Sequence, residues 1–167
     1  MAQVRAHTVH HLDIDIACSP AAAWSYTIAN MAEGGMFAVP GCTVEPIGTD
    51  LSAPIGGYRF RIQTAESVDE RICRVTERDE EVLRLSLHTE AISAAGRNMV
   101  IYVTYHVAPS DAGCRYQVDS HSSLDLDISD EASPAEIASA IAALRTQFDD
   151  GLQASLIGIK AQMEQRL

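Results

Sequence analysis

The chain has 167 residues, which favours one domain (residues 1–167) that is large enough to bury a sizeable core. Its formal net charge of −11 argues against nucleic acid and anionic membrane surfaces as partners, because both require a basic patch. The four scattered cysteines form no CxxC pair, and the sequence shows no signal peptide or membrane-length apolar run. These features predict free thiols in a cytoplasmic protein.

The N-terminal part predicts a strand followed by a short helix. Residues 10–17 alternate apolar and polar side chains, which is typical of a half-buried strand. Ser19 and Pro20 then supply a helix cap and a first helical residue. We therefore expect a helix over residues 20–32, with Trp24 on its buried face.

The middle of the chain predicts a run of antiparallel strands after a short apolar turn at residues 36–39. Alternation places Tyr58, Phe60, Leu85 and Tyr105 on the inner faces of their strands. The predicted strands cover Cys42–Ile47 and residues 58–63, 68–77, 82–89, 98–107 and 114–124.

The last stretch, residues 133–167, predicts one long helix after an acidic loop at residues 125–131. About thirty residues make a rod roughly 45 Å long. Gly151 and Gly158 interrupt it, either for helix packing or to leave room for a ligand. The apolar stripe of this helix consists of Ile137, Ile141, Leu144, Phe148, Leu152, Ile159 and Met163.

Strands and helices segregated in this way indicate an α+β fold. A curved antiparallel sheet of six to seven strands needs one face covered, and only the final helix is long enough to cover it.

This order of elements resembles the START-like helix-grip (SRPBCC) superfamily, which includes pollen-allergen-type ligand carriers, START lipid-transfer domains and polyketide cyclase/dehydratase-type aromatase/cyclases. The local matches are residues 19–24, 57–64, 74–75 and 102–105. The resemblance implies a sheet wrapped around the C-terminal helix, short helices after the first strand, and a deep apolar cavity for a hydrophobic, aromatic or polyketide-like molecule.

The resemblance also implies a cavity arginine, because Arg74 matches the position of that residue in the aromatase/cyclases. In that family the arginine works with a tyrosine and with a serine or water. Here residues 40–42 contain no tyrosine, and Ile72 stands at the serine position.

The strand over residues 68–77 admits two orientations. If Arg74 points inward, Glu70 and Ile72 do so as well, with Glu70 and Arg74 roughly 13 Å apart. Arg74 would then stabilise an oxyanion, and Glu70 or Tyr58 would move protons. In the opposite orientation Cys73 and Val75 lie inside and the charges face water. The sequence leaves both orientations open.

The predicted ligand contacts are the large residues of the inner faces and the helix wall. They are Trp24, Phe37, Phe60, Ile72, Leu85, Tyr105, Phe148, Leu152 and Ser155.

We expect no metal and no cofactor, since the six histidines show no metal-binding spacing. His7, His10 and His11 are expected in a frayed N-terminus. His88, His106 and His121 are expected on the outer faces of their strands, as is Tyr102.

Two functions follow from such a cavity. The first is a cofactor-independent enzyme for cyclisation, dehydration or lyase chemistry by acid/base catalysis. The alternative is a non-catalytic carrier or sensor of a lipid or isoprenoid-like ligand. The partner is a hydrophobic small molecule in either case, and the sequence also allows a homodimer.

Overall fold

The structure, a computed structural model, describes residues 2–32, 42–63, 68–92 and 98–165. It contains the strands β1 (Ala2–Ile16), β2 (Cys42–Ile47), β3 (Gly57–Gln63), β4 (Val68–Asp79), β5 (Arg84–Ile92), β6 (Asn98–Ser110) and β7 (Gly113–Ile128). The helices are α1 (Pro20–Ala32) and α2 (Pro134–Gln165).

The strands form one antiparallel sheet of seven in the order β1-β7-β6-β5-β4-β3-β2. Neighbours along the chain from β2 to β7 are also neighbours in the sheet, whereas β1 closes against β7. The α+β architecture with a long C-terminal helix is therefore confirmed, with β1 and β2 at the two edges.

The first and last strands are longer than the sequence predicts. β1 begins at Ala2 rather than at His10, because its first half pairs with β7 as far as Ile128. The first part of the predicted acidic loop is therefore strand. Within it, Asp125 is held by Arg5, with Nε 2.7 Å from the carboxylate oxygen.

Side-chain caps start both helices where the sequence predicts them. The Ala22 amide donates to Ser19 Oγ at 3.2 Å at the start of α1. At the start of α2 the Ser133 amide donates to Glu136 Oε2 at 2.7 Å, and the Glu136 amide donates to Ser133 Oγ at 3.3 Å. The hydrogen bond from the Ser133 amide lowers the pKa of Glu136.

The C-terminal part of α2 is fixed to the end of β1. Lys160 Nζ donates to the Asp15 carbonyl at 2.6 Å, and the Ala17 amide donates to Glu164 Oε1 at 3.0 Å. Below this contact the closed core contains Ile16, Trp24, Tyr116, Leu156 and Met163, each at most 6% exposed. Among the described residues no helix is long and apolar enough to span a membrane.

Candidate functional site

The sheet and α2 touch at one end and separate at the other. On the inner face of β6, Val107 is 3% exposed, whereas Met99, Ile101, Val103 and Tyr105 are only half-buried. α2 shows the same gradient: Leu156 and Met163 are buried near its C-terminus, whereas Ile141, Leu144, Phe148 and Leu152 are half-buried. Apolar side chains that face each other across two layers and still expose surface indicate a space between the layers. This space is the candidate site.

The orientation of β4 decides which charged residues can reach that space. Cys73 and Val75 are 0% and 1% exposed and belong to the core, so they face inward. Glu70, Ile72 and Arg74 therefore lie on the outer face, which corrects the expectation that these three line the cavity.

Glu70 and Arg74, the charged residues of this set, each have a partner on the outer face. Arg61 Nε lies 3.2 Å from one Glu70 carboxylate oxygen, and Arg59 Nε lies 3.4 Å from the other. Arg74 Nη1 donates to the Ile55 carbonyl at 3.2 Å. Both of the charged residues predicted to be catalytic are thus engaged outside the cavity.

Arg71 is an arginine of β4 that faces inward. It pairs with Phe60 on β3 and with Ala91 on β5, and both of these neighbours are buried. Directly paired residues in a sheet project on the same side, so the Arg71 side chain lies on the inner face. Its Nε is buried and has no hydrogen-bond partner among the described residues.

Two further polar groups lie on the same face. Burial raises the pKa of the Cys73 thiol to about 11. Burial also raises the pKa of the Tyr105 phenol, and no hydrogen bond joins the Tyr105 hydroxyl to another residue in the described part of the chain. Both groups are neutral at neutral pH, so each can serve as a proton donor to a ligand but not as a base.

Tyr58, the third residue predicted to be catalytic, faces inward as predicted. Its hydroxyl donates to the carbonyls of Met31 (2.5 Å) and Ala32 (2.8 Å) at the C-terminal end of α1. Its ring stacks on Phe60, with centroids 6.2 Å apart. The phenol proton is therefore directed at backbone carbonyls, and a catalytic role for Tyr58 stays a prediction.

The predicted ligand contacts divide between core and cavity. Trp24 and Leu85 lie in the closed core, and the Trp24 indole N–H donates to the Glu80 carboxylate. Tyr105, Phe148 and Leu152 lie around the space between sheet and helix.

Two predicted contacts need separate mention. Ser155 is exposed and lies on the same face of α2 as Phe148 and Leu152, so its contact with a ligand stays a prediction. Phe37 lies outside the described residues.

His10 was missed because we expected it in a frayed terminus. It is 1% exposed, and its Nδ1 lies 2.7 Å from Asp149 Oδ1 on α2. A signal for this was present: His10 has the same parity as Leu12, Ile14 and Ile16.

Tyr102, 56% exposed, does face outward as predicted, and the His88 ring stacks on it at 4.6 Å.

The helix glycines are not required for close packing. A Cβ atom added at Gly151 or at Gly158 would meet no atom of the described residues within 4 Å. Gly151 is exposed, whereas Gly158 is half-buried and borders open space. The packing explanation therefore fails for both positions.

Among the described residues no group of three or more His, Cys, Asp or Glu side chains could hold a metal.

A seven-stranded antiparallel sheet with a long C-terminal helix across its inner face is the helix-grip fold. The chain therefore has the fold of the START-like superfamily that its sequence resembles. No family model matches the sequence, and no curated protein matches it.

Solved structures share this fold at low identity. An uncharacterised protein from Rhizobium leguminosarum has a TM-score of 0.71 at 12% identity, covering 99% of both chains. The Zhui aromatase/cyclase from a Streptomyces species has a TM-score of 0.61 at 14% identity, covering 98% of this chain and 96% of its own. Truncated norcoclaurine synthase from Thalictrum flavum has a TM-score of 0.60 at 15% identity, covering 98% of this chain and 95% of its own.

Proposed function

We propose that this protein binds an apolar small molecule between the sheet and α2, and that Arg71 contacts an anionic or carbonyl oxygen of that molecule. The observation that carries the proposal is the buried Arg71 Nε, which has no hydrogen-bond partner among the described residues. It lies on the inner face, in one cross-strand row with the buried Ala91 on β5 and the half-buried Met99 on β6.

The energetics favour an oxygen ligand. A buried polar group without a partner costs about 1–3 kcal/mol, and the cost is greater for a charged group. A ligand oxygen that accepts from the Arg71 guanidinium would recover this cost, because guanidinium groups form strong, directional bonds with carboxylates and enolates. The apolar remainder of the ligand would lie against β6 and against the Phe148 region of α2.

The same contact supports catalysis. A fixed cation beside a carbonyl stabilises the enolate that forms when a proton is lost from the adjacent carbon. With the neutral Tyr105 phenol as a proton donor, Arg71 would support cofactor-independent cyclisation, dehydration or lyase chemistry on a polyketide-like substrate. The aromatase/cyclase and the norcoclaurine synthase named above have this fold, but fold alone does not decide function. The alternative is a carrier or sensor that holds the same class of ligand unchanged.

Cavity binding is tested by filling the space from the sheet side. Ile101 is half-buried on the inner face of β6, and the adjacent Tyr102 is exposed on the outer face of the same strand. We expect Ile101→Trp to abolish binding of a neutral naphthylamine dye, measured by fluorescence titration, and Tyr102→Trp to leave it unchanged. Equal binding by wild type and Ile101→Trp would refute a site in this space.

Native mass spectrometry of the purified protein separates the enzyme from the carrier. A stoichiometric apolar ligand that carries an acidic or carbonyl oxygen, released only by organic solvent, would favour the carrier. An unoccupied protein that turns over a polyketide-like ketone, and that loses turnover in the Arg71→Met variant, would favour the enzyme.

A further inference from the structure

A second group of polar side chains lies on the inner face at the opposite edge of the sheet from Arg71. Thr8 and His10 on β1 are 4% and 1% exposed, and Ser122 on β7 is 3% exposed. Asp149 reaches them from α2. Nothing in the proposed role of Arg71 uses these residues.

His10 connects Asp149 to Thr8 through its two ring nitrogens. Asp149 Oδ1 lies 2.7 Å from His10 Nδ1, and His10 Nε2 lies 2.8 Å from Thr8 Oγ1. A carboxylate can only accept a hydrogen bond, so the ring nitrogen that faces Asp149 carries a proton. In the tautomer with its proton on Nδ1 alone, Nε2 accepts a hydrogen bond from the Thr8 hydroxyl. This is the arrangement of an activated hydroxyl nucleophile: a hydroxyl on a base whose orientation is fixed by a third group.

Packing holds the base in place. The Phe148 ring lies 5.6 Å from the His10 ring, between centroids. The second Asp149 carboxylate oxygen lies 3.9 Å from Arg145 Nε. The His10 side chain is buried, whereas the Asp149 side chain is 41% exposed, so the carboxylate reaches the buried imidazole from the solvent-accessible side of α2.

Ser122 supplies a hydrogen-bond donor for the oxygen of the carbonyl under attack. It pairs directly with Thr8 across the β1–β7 ladder, so the two side chains project on the same face. Its hydroxyl oxygen is buried and has no hydrogen-bond partner within the described ranges. An unpaired buried hydroxyl beside a nucleophile can donate to the oxygen of a carbonyl under attack.

Thr8 also borders a place for a substrate. An open surface cleft of about 670 Å³ lies between β1 and the N-terminal half of α2, and its β1 side consists of Thr8 with His7, Val9 and His11. The α2 side of the cleft consists of Ala138, Ile141, Ala142 and Arg145. This volume is in the range of small-molecule sites, and the small apolar side chains suit a hydrocarbon acyl chain.

We propose that Asp149, His10 and Thr8 form an acyl-transfer site that acts on esters of apolar carboxylic acids. Thr8 Oγ1 attacks the ester carbonyl carbon, a carbon–oxygen bond forms, and the hydroxyl proton passes to His10 Nε2. Ser122 donates to the resulting oxyanion. The bond to the leaving alcohol then breaks, and His10 returns its proton to the leaving oxygen. Water then attacks the acyl-Thr8 ester while His10 Nε2 takes its proton. The bond between the acyl carbon and Thr8 Oγ1 breaks, and His10 returns the proton to Thr8 Oγ1, which releases the acid and restores both residues.

The test uses the full-length protein and p-nitrophenyl butyrate. We expect release of p-nitrophenol and, in quenched samples, one butyryl group that peptide mass spectrometry locates on Thr8. Thr8→Val keeps the side-chain shape and removes the nucleophile, so it should reduce the rate at least about 100-fold; Thr8→Ser should still be acylated at that position. Asp149→Asn should slow acylation by about 100-fold or more.

Ser120→Ala is the matched control, because Ser120 is a buried hydroxyl on the same face, opposite His10 and outside the relay. It should keep the wild-type rate. A wild-type protein without butyryl-Thr8 would overturn the proposal, as would equal hydrolysis rates in wild type and Thr8→Val. Neither result bears on ligand binding at Arg71, which the dye titration tests separately.

Discussion

His10 Nδ1 and Asp149 Oδ1 lie 2.7 Å apart and join the middle of the edge strand β1 to the middle of α2. Lys160 and Glu164 make a second attachment near the C-terminus of the helix. These two attachments position the helix wall of the cavity. The sheet and helix diverge beyond the first attachment, so the His10–Asp149 bond stands at the boundary between the closed core and the open space.

Loss of this bond should destabilise the protein. Asp149→Ala leaves the buried His10 N–H without an acceptor, which costs about 1–3 kcal/mol. Asp150 is the matched control, because it is the adjacent aspartate on α2 and is exposed. Urea unfolding should show a lower midpoint for Asp149→Ala and an unchanged midpoint for Asp150→Ala. Equal midpoints would mean that the bond does not hold the helix in place.

The Trp24–Glu80 hydrogen bond should make stability depend on pH. The indole N–H is the largest cause of a lowered pKa at Glu80. A carboxylate whose pKa is lowered by folding stabilises the fold above its unfolded pKa of about 4.3, and the contribution is lost as the pH falls through the folded value.

When the pH is lowered from neutral to about 3, which is below the ordinary glutamate pKa, the free energy of unfolding should therefore fall less in Glu80→Gln than in wild type. Glu81→Gln, a change at the neighbouring exposed glutamate, should follow the wild-type curve. Parallel curves for wild type and Glu80→Gln would contradict this role of Glu80.

The buried thiols should resist alkylation. Burial raises the pKa of Cys73 to about 11 and that of Cys114 to about 12, so neither is a thiolate at neutral pH. Cys42 is half-buried and more accessible. In native protein treated with iodoacetamide, mass spectrometry should find Cys42 labelled first and the other two labelled only after denaturant is added. Early labelling of Cys73 would show that the closed core opens readily.

The helix and sheet glycines should respond oppositely to alanine. At Gly151 an added methyl group meets no atom in the described part of the chain, so Gly151→Ala should stabilise α2 by up to about 1 kcal/mol through helix propensity. At Gly57 the added Cβ would lie 2.0 Å from the Cys73 carbonyl oxygen, so Gly57→Ala should strongly destabilise the β3–β4 pair. Thermal unfolding measures both, and a stable Gly57→Ala protein would contradict this backbone geometry.

Much of the fold could be predicted because its signals are local. Alternation placed Tyr58, Phe60, Leu85 and Tyr105 on the correct face, and the Ser-Pro starts located both helices. The N-terminal half of β1 was missed because its pairing with β7 is a long-range contact.

The site was harder to predict because β4 is ambiguous by itself. Residues 70–75 read Glu-Arg-Ile-Cys-Arg-Val, so each face of the strand carries one arginine. Only the register resolves the choice, since Arg71 is placed between the buried Phe60 and Ala91. By contrast, the alternation of β1 already placed His10 with the buried residues of that strand.

The central claim is that Arg71 binds an oxygen of the ligand inside the cavity. Its most direct test is the affinity of Arg71→Met for the anionic dye anilinonaphthalene sulfonate, with Arg74→Met on the outer face of the same strand as the control. We expect Arg71→Met to weaken the anionic dye by about tenfold or more, as the loss of a charge-assisted hydrogen bond predicts, and to leave the neutral naphthylamine dye nearly unaffected. Equal losses in both arginine variants, or none in Arg71→Met, would contradict the account.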